Sequence, residues 1–327
     1  MISAAGSLRR ATIVGAGRMG VGIAESFVIA SLDVTFADAT PELCFAARER
    51  LIERMRAHAR AGLIDEASAA RSERVTAADG IASAIDGADL IIEAVSEDLD
   101  VKRQVLFACD DGAAEDAIIA SNTSSLAINE LVQFVGRQDR FLGMHWFNPP
   151  EWTPGVEVIP SERTEPAVVT RVVRLLESIG KRPSTVSPSV GFVANRLQMA
   201  LFCEAARCVE EGIASPGQID EVVRSCFGFR LPFFGPFQIA DMAGLDIYEA
   251  VVRQHEQAFG ERFAVPETLS RLVREGRRGT TGGGGFYDYP DGAAARLLAE
   301  RDRRYAALVE LLGETPPMKF DGGEDSQ

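Results

Sequence analysis

The sequence predicts an α/β protein: an N-terminal Rossmann-type, doubly wound and mostly parallel sheet with appended strands, followed by an all-α C-terminal domain. Three observations carry this expectation. Short apolar runs of strand length alternate with helix-length amphipathic segments as far as about Ser187. A glycine-rich turn, Gly15-Ala16-Gly17-Arg18-Met19-Gly20, follows the first of those runs at once and leads into a helical pattern. From Phe192 to about Leu312 the segments become long and helical, broken by Pro232, Gly235-Pro236, Pro266 and the run Gly282 to Gly285. The boundary falls near Pro188, giving residues 1–187 and 188–315, with a polar, acidic tail at 316–327 that is expected to be disordered.

Ala11-Thr12-Ile13-Val14 reads as a buried strand. In the turn after it, Gly15 permits the tight bend, Gly17 lets a pyrophosphate approach the backbone, and Gly20 lets helix and strand pack closely. Arg18 and Met19 stand at the same helix N-terminus. A second strand, Val34 to Ala37, ends in Asp38, a carboxylate placed to accept both ribose hydroxyls of an adenosine and to repel a 2′-phosphate. The expected cofactor is NAD rather than NADP.

Pro41 starts a long helix whose stripe of Leu51, Ile52, Met55 and Ala59 has the period of a face packed on protein. Beside that stripe stand Arg50 with Arg54 and Arg56 with Arg60, each pair spaced i,i+4. They form either a solvated face with salt bridges or a phosphate-binding arm. Leu90 to Val95 is another buried strand. Past it, Glu97 and Lys102 are candidates to meet the ribose or nicotinamide side, or serve as helix-terminus charges. The strand Ala117 to Ala120 delivers Ser121-Asn122-Thr123-Ser124-Ser125, in which N-capping competes with a site role for Ser124. Phe141 to His145 is an apolar strand, Asn148-Pro149-Pro150 a turn, and Val156 to Ile159 a strand that carries Glu157 among β-branched residues. Glu165 to Ile179 is helical and Arg182 to Ser187 extended.

Of the three histidines, His58 and His255 lie in charged, helix-like sequence and read as solvated. His145 ends an apolar run, where an α/β sheet presents residues to its crevice. Glu157 shares a strand with core-facing residues and needs a partner, for which an imidazolium is the natural choice. A core histidine and an edge-strand glutamate form the competing description. Asn195 stands in the first turn of the helix that opens the second domain. The apolar stretches Phe227 to Phe237 and Ala240 to Leu245 suggest a buried interface between subunits. Five scattered cysteines without C-x-x-C spacing read as small core residues, with neither disulfides nor a metal site expected. A formal charge of −14 disfavours nucleic acid and anionic membranes as partners. No run is long enough to span a bilayer and no signal-peptide core is visible, so a cytoplasmic protein is expected.

Over nearly its full length the chain resembles the L-3-hydroxyacyl-CoA dehydrogenase family. The resembling motifs are GAGRMGVGIA at 15–24, Asp38, IIEAVSEDLDVK at 91–102, SNTSSL at 121–126, QDRFLGMHWFNPP at 138–150, VEVI at 156–159, GFVANRL at 191–197, FGPF with ADMAGLD at 234–246, and GGGGFYDY at 282–289. The resemblance implies a catalytic His145–Glu157 pair, with Ser124 and Asn195 at the reacting carbon's oxygen and the nicotinamide. It also implies Asn148 near the substrate, Asp38, Glu97, Lys102 and Asn122 at NAD, and a homodimer through the helical domain. The loop Pro150-Glu151-Trp152-Thr153-Pro154-Gly155 and the short, arginine-rich arm after Asp38 depart from the family's pattern and bear on the substrate. Arg54 and Arg56 are expected to contact the phosphates of an acyl-CoA. No lysine or arginine stands between Gly143 and Val158 to meet a small free hydroxy acid. A short L-3-hydroxyacyl-CoA is therefore the expected substrate, a small non-CoA alcohol or hydroxy acid the alternative, and a non-catalytic NAD-binding protein the third reading.

Overall fold

The computed structural model describes residues 8–314, so the tail expected at 316–327 lies outside the described residues. Within it the chain forms two compact units, the first ending at Cys203 and the second beginning at Glu204. The division falls inside the helix Ala194–Glu210.

The first unit is built on one eight-stranded sheet: β1 (Arg10–Val14), β2 (Asp33–Ala37), β3 (Thr76–Ala77), β4 (Leu90–Glu93), β5 (Ile118–Ser121), β6 (Phe141–Trp146), β7 (Gly155–Pro160) and β8 (Arg182–Thr185). Their order is β3-β2-β1-β4-β5-β6-β7-β8. β1 to β6 run parallel, β7 pairs antiparallel to β6, and β8 follows β7 in parallel. β3 was not expected, because two residues are too short a run to show a pattern. Strand side chains point alternately to the two faces. Ile13, Phe36 and Ile118 thus pack in one apolar layer with Phe27, Leu51 and Met55, while Val14 and Ile119 pack in the other with Leu106, Phe141 and Phe192. Helices on both faces bury both layers, which is why the strands read as continuous apolar runs. Two of these helices bear on the site: α1 (Arg18–Ile29) and α2 (Pro41–Arg60). Pro41 opens α2 behind Thr40, whose side chain accepts from Leu43 N.

The second unit is helical, with a small core of Ala240, Leu245, Leu269 and Leu272. Asp241, fully buried, accepts from the backbone N–H groups of Phe286 and Tyr287 and from the Tyr289 hydroxyl. The stretches around 241 and 285 are therefore one packed element, and a Cβ on Gly285 would stand 2.1 Å from Asp241 Oδ1. This corrects the interface expectation for Ala240 to Leu245, of which Ala240 and Leu245 belong to the unit's own core, whereas Phe227, Leu231 and Phe237 remain exposed. The cysteine expectation is corrected in part. Cys44 and Cys109 are buried, but Cys203 and Cys226 are exposed on helical segments.

Candidate active site

Two strands set the central pair. In the antiparallel register of β6 and β7, His145 lies directly opposite Glu157, so both side chains leave the same face of the sheet. His145 Nδ1 is 2.8 Å from Glu157 Oε2, and both residues are buried. The other carboxylate oxygen accepts from Val193 N at 3.0 Å and Ala194 N at 2.9 Å. Donors thus meet both oxygens of the carboxylate. An anion at Nδ1 draws the imidazole proton to that nitrogen and leaves Nε2 to exchange a proton. The rings of Phe147 and Phe192, with centroids 4.4 and 5.4 Å from that of the imidazole, hold it in place. A core histidine without an acidic partner does not describe this arrangement.

The hydroxyl-bearing loop is held from below. β5 pairs Ser121 with Gly143, so the loop after β5 leaves the same sheet edge as His145. Glu97 Oε1 accepts from Thr123 Oγ1 at 2.5 Å, from the N–H groups of Ser124 and Ser125 at 2.8 Å each, and from Ser125 Oγ at 3.0 Å. Burial pushes the Glu97 carboxyl up, but the Thr123 hydroxyl, the Lys102 charge and the Ser125 and Ser124 N–H groups outweigh it and hold the pKa at about 2. Lys102, 1 % exposed, places its ammonium 2.7 Å from Glu93 Oε1 and 3.3 Å from Glu97 Oε2. It stands behind the loop and acts on it through Glu97, not as a charge presented to the cleft. Glu93, buried at the end of β4, also meets Ser121 Oγ at 2.5 Å. Asn122 Oδ1 accepts from Trp146 N at 2.9 Å, tying the ends of β5 and β6. Asn195 Nδ2 donates to the Ser124 carbonyl at 3.2 Å. Ser124 does not take the capping role, since the next helix, Ile128–Leu131, starts behind Ala127 with no side-chain cap. Asn148 is exposed and joined to Pro149 by a cis peptide.

The first turn fits a dinucleotide. Gly15 has φ +109°, and a Cβ there would stand 2.5 Å from the Ala94 carbonyl, so only glycine lets this turn cross the end of β4. A Cβ on Gly20 would stand 2.0 Å from Gly15 O, whereas one on Gly17 would meet nothing within 4 Å. α1 begins behind Gly17 with no side-chain cap and no acidic residue in its first turn, leaving its N–H donors for an anion. Arg18 is exposed and Met19 half-buried there. A cavity of about 360 Å³ adjoins the turn, lined in part by Gly15, Gly17, Asp38, Ala94 and Val101. Asp38 accepts from Ala16 N at 2.6 Å and Ala39 N at 2.7 Å, which aims the carboxylate along this cavity while each oxygen keeps a further lone pair.

Two expectations on α2 are corrected. Arg54 is not a phosphate ligand: its Nε lies 2.6 Å from Glu25 Oε2 and a terminal nitrogen 2.5 Å from Glu151 Oε2, so two carboxylates already occupy its fork. His58 is not a solvated histidine, because its Nδ1 is 2.5 Å from the buried Glu25. Arg56 does face solvent, in an exposed pair with Glu73. The sequence reasoning missed Glu25, Glu93 and Glu151. For the first two the signal was a carboxylate inside an apolar run, which must find a partner.

A parallel sheet whose first turn admits a dinucleotide, with a carboxylate after β2 and a buried His–Glu pair on β6 and β7, is the frame of a nicotinamide-dependent oxidoreductase. Residues 10–188 match the model of the 3-hydroxyacyl-CoA dehydrogenase NAD binding domain and residues 191–289 that of the same family's C-terminal domain. The 5-formyl-3-hydroxy-2-methylpyridine 4-carboxylate 5-dehydrogenase of Mesorhizobium japonicum is 34% identical over 93% of this chain and 98% of its own. A probable 3-hydroxybutyryl-CoA dehydrogenase of Bacillus subtilis is 33% identical over 87% and 98%. The crystal structure of a 3-hydroxyacyl-CoA dehydrogenase from Archaeoglobus fulgidus superposes with a TM-score of 0.76 at 29% identity, covering 93% of this chain and 99% of that one. The chain belongs to the 3-hydroxyacyl-CoA dehydrogenase family, and it is an NAD-dependent oxidoreductase acting on CH–OH donors.

Proposed function

We propose that the protein oxidises the hydroxyl of a short L-3-hydroxyacyl-CoA to the 3-ketoacyl-CoA, with His145 as the base. The observation that carries the acid–base part is the buried contact between His145 Nδ1 and Glu157 Oε2. Bound NAD supplies the hydride acceptor. His145 Nε2 takes the hydroxyl proton, and Glu157 keeps the Nδ1 proton in place and stabilises the imidazolium. Ser124 and Asn195, linked by the bond between Asn195 Nδ2 and the Ser124 carbonyl, supply donors where charge develops on the substrate oxygen. A thioester is favoured over a free acid because the two cations packed against the loop after His145 are both engaged: Arg54 with carboxylates, and Lys181 with the carbonyls of Pro150, Glu151 and Thr153.

The engagement of Arg54 also removes one of the two arginines expected to meet CoA phosphates, and so leaves a second reading, oxidation of a small non-CoA alcohol. The likeness to the pyridine-carboxylate enzyme over 93% of the chain points the same way. Turnover of NAD⁺ with 3-hydroxybutyryl-CoA, set beside free 3-hydroxybutyrate and a hydroxymethyl-pyridine carboxylate, decides between them. The first reading expects activity on the thioester, with KM raised in Arg56→Ala and kcat little changed. Activity on the free acids alone would reverse it. The same reading includes a cytoplasmic homodimer that covers the exposed apolar side chains of the helical unit, Phe227, Leu231 and Phe237 among them, to be checked by sedimentation.

A further inference from the structure

A group of charged side chains that the proposed reaction leaves unused lies between α1, α2 and the loop Asn148 to Gly155. Glu25 on α1 is 0 % exposed, among core neighbours. His58 and Arg54, one turn apart on α2, meet its two oxygens at 2.5 and 2.6 Å. Arg54 reaches on to Glu151 Oε2 at 2.5 Å, and the Glu151 side chain is only 5 % exposed. The fit is close on the α1 side as well, since a Cβ on Gly22 would stand 2.8 Å from both Glu151 Oε2 and a Pro150 ring carbon. Ser26 Oγ and Lys181 Nζ both donate to the Pro150 carbonyl, at 3.3 and 2.5 Å. The Trp152 ring packs edge-on against His58, with centroids 5.2 Å apart. One turn before Arg54, Arg50 donates to the Ala16 carbonyl in the glycine turn at 2.7 Å. A single helix therefore grips both the turn that receives the dinucleotide and the loop that carries Asn148.

Buried ion pairs stabilise poorly compared with apolar side chains of the same volume, because desolvation consumes most of the Coulomb attraction. What they add is placement: a guanidinium between two carboxylates holds both within ion-pair distance. We propose that Arg54 and Glu151 are positioning residues for the reaction. Through them α2 sets the Asn148 loop against the glycine turn, so that the carbinol carbon and the nicotinamide meet at a fixed separation. This rests on NAD-dependent alcohol oxidation at His145 and assigns these two residues to holding the loop, not to binding substrate.

The test uses the full-length protein with NAD⁺ and whichever hydroxy substrate the wild type turns over. Glu151→Gln keeps the shape and removes the charge facing Arg54. It is expected to lower kcat/KM for the hydroxy substrate by about tenfold or more, since a displacement of about 1 Å can cost about 10²-fold. The NADH dissociation constant is expected to stay within about twofold. A second readout needs no turnover. Of the two tryptophans, Trp146 is 2 % exposed and Trp152 44 %, so iodide quenching reports the loop, and Glu151→Gln is expected to raise it. Because a lone buried charge destabilises, a triple variant, Glu25→Gln with Arg54→Met and Glu151→Met, removes the partners together. It is expected to regain the wild-type melting temperature while kcat/KM stays low. Kinetics that recover along with stability would overturn the proposal, as would a parallel loss of NADH affinity or an unchanged quenching constant in Glu151→Gln. A wild type that turns over no hydroxy substrate refutes the functional reading instead, and the quenching arm then decides the clamp alone.

Discussion

Replacing Glu157 by Gln removes one charge and changes one hydrogen-bond polarity without changing volume, at a residue whose three bonds are all visible. Glu157 accepts from His145 Nδ1, Val193 N and Ala194 N. A glutamine can satisfy the two backbone donors with its carbonyl, which turns its NH₂ group toward His145. That group donates, so Nδ1 must accept, and the imidazole proton moves to Nε2, the nitrogen that has to take the substrate's proton. The base is then blocked in the ground state and its cation loses the adjacent anion. General acid–base catalysis is worth about 10²–10⁴-fold, and kcat should fall by that range. NADH affinity, which rests on the glycine turn and Asp38, should stay within about twofold, small against that range. Single-turnover formation of NADH measures the step directly. A kcat within about threefold of wild type, against that range, would show that the pair is structural.

Asp38→Asn keeps the acceptor for Ala16 N but removes the charge, so the NAD/NADP ratio of kcat/KM should narrow by about tenfold or more, as like-charge opposition is worth several kcal/mol; equal ratios in the two proteins would exclude Asp38 as the discriminator. Lys102→Met leaves Glu93 buried without its cation and should destabilise by about 3–5 kcal/mol, lowering the melting temperature by roughly 10 °C. Recovery in Lys102→Met with Glu93→Met is the control. Glu97, with its pKa lowered from 4.5 to about 2, adds stability that is fully present above pH 4.5 and is lost as the pH falls toward 2. The melting temperature of Glu97→Gln should lack that acid-dependent component, and identical acid profiles in the two proteins would refute it.

The first βαβ unit was legible because each of its parts is local: an apolar run, glycines at positions that admit no Cβ, and a carboxylate at the end of the next run. His145 and Glu157 were legible as polar residues inside apolar strands, and the antiparallel register supplies the pairing that spacing left open. Arg54 was misread for a physical reason. The face of a long surface helix is solvated or buried according to what packs on it, and here the packing partner is Glu151, far along the chain. No pattern local to residues 50–60 carries that information. For the same reason the stretch Ala240 to Leu245 looked like an interface: its apolar partners, Leu269 and Leu272, arrive from a later helix.

The chain buries a carboxylate in an apolar run three times. Glu157 on β7 fixes the imidazole of His145, Glu93 on β4 fixes Lys102 and through it the Glu97 loop, and Glu25 on α1 fixes Arg54 and through it the loop after His145. A buried anion is unfavourable unless its donors are held at hydrogen-bond distance, so each acid permits few arrangements of the segment it anchors. Amide replacements at Glu157, at Glu93 and at Glu151, the acid that Glu25 reaches through Arg54, should therefore separate by function. Glu157→Gln acts on kcat, because only the base is altered, and Glu151→Gln acts on kcat/KM for the hydroxy substrate, because only its loop is released. Glu93→Gln should instead perturb the loop that Glu97 holds and, with it, both substrate and dinucleotide kinetics. If all three variants gave one common kinetic defect in proportion to lost stability, the acids would be anchors of the fold alone and the division of labour among them would be wrong.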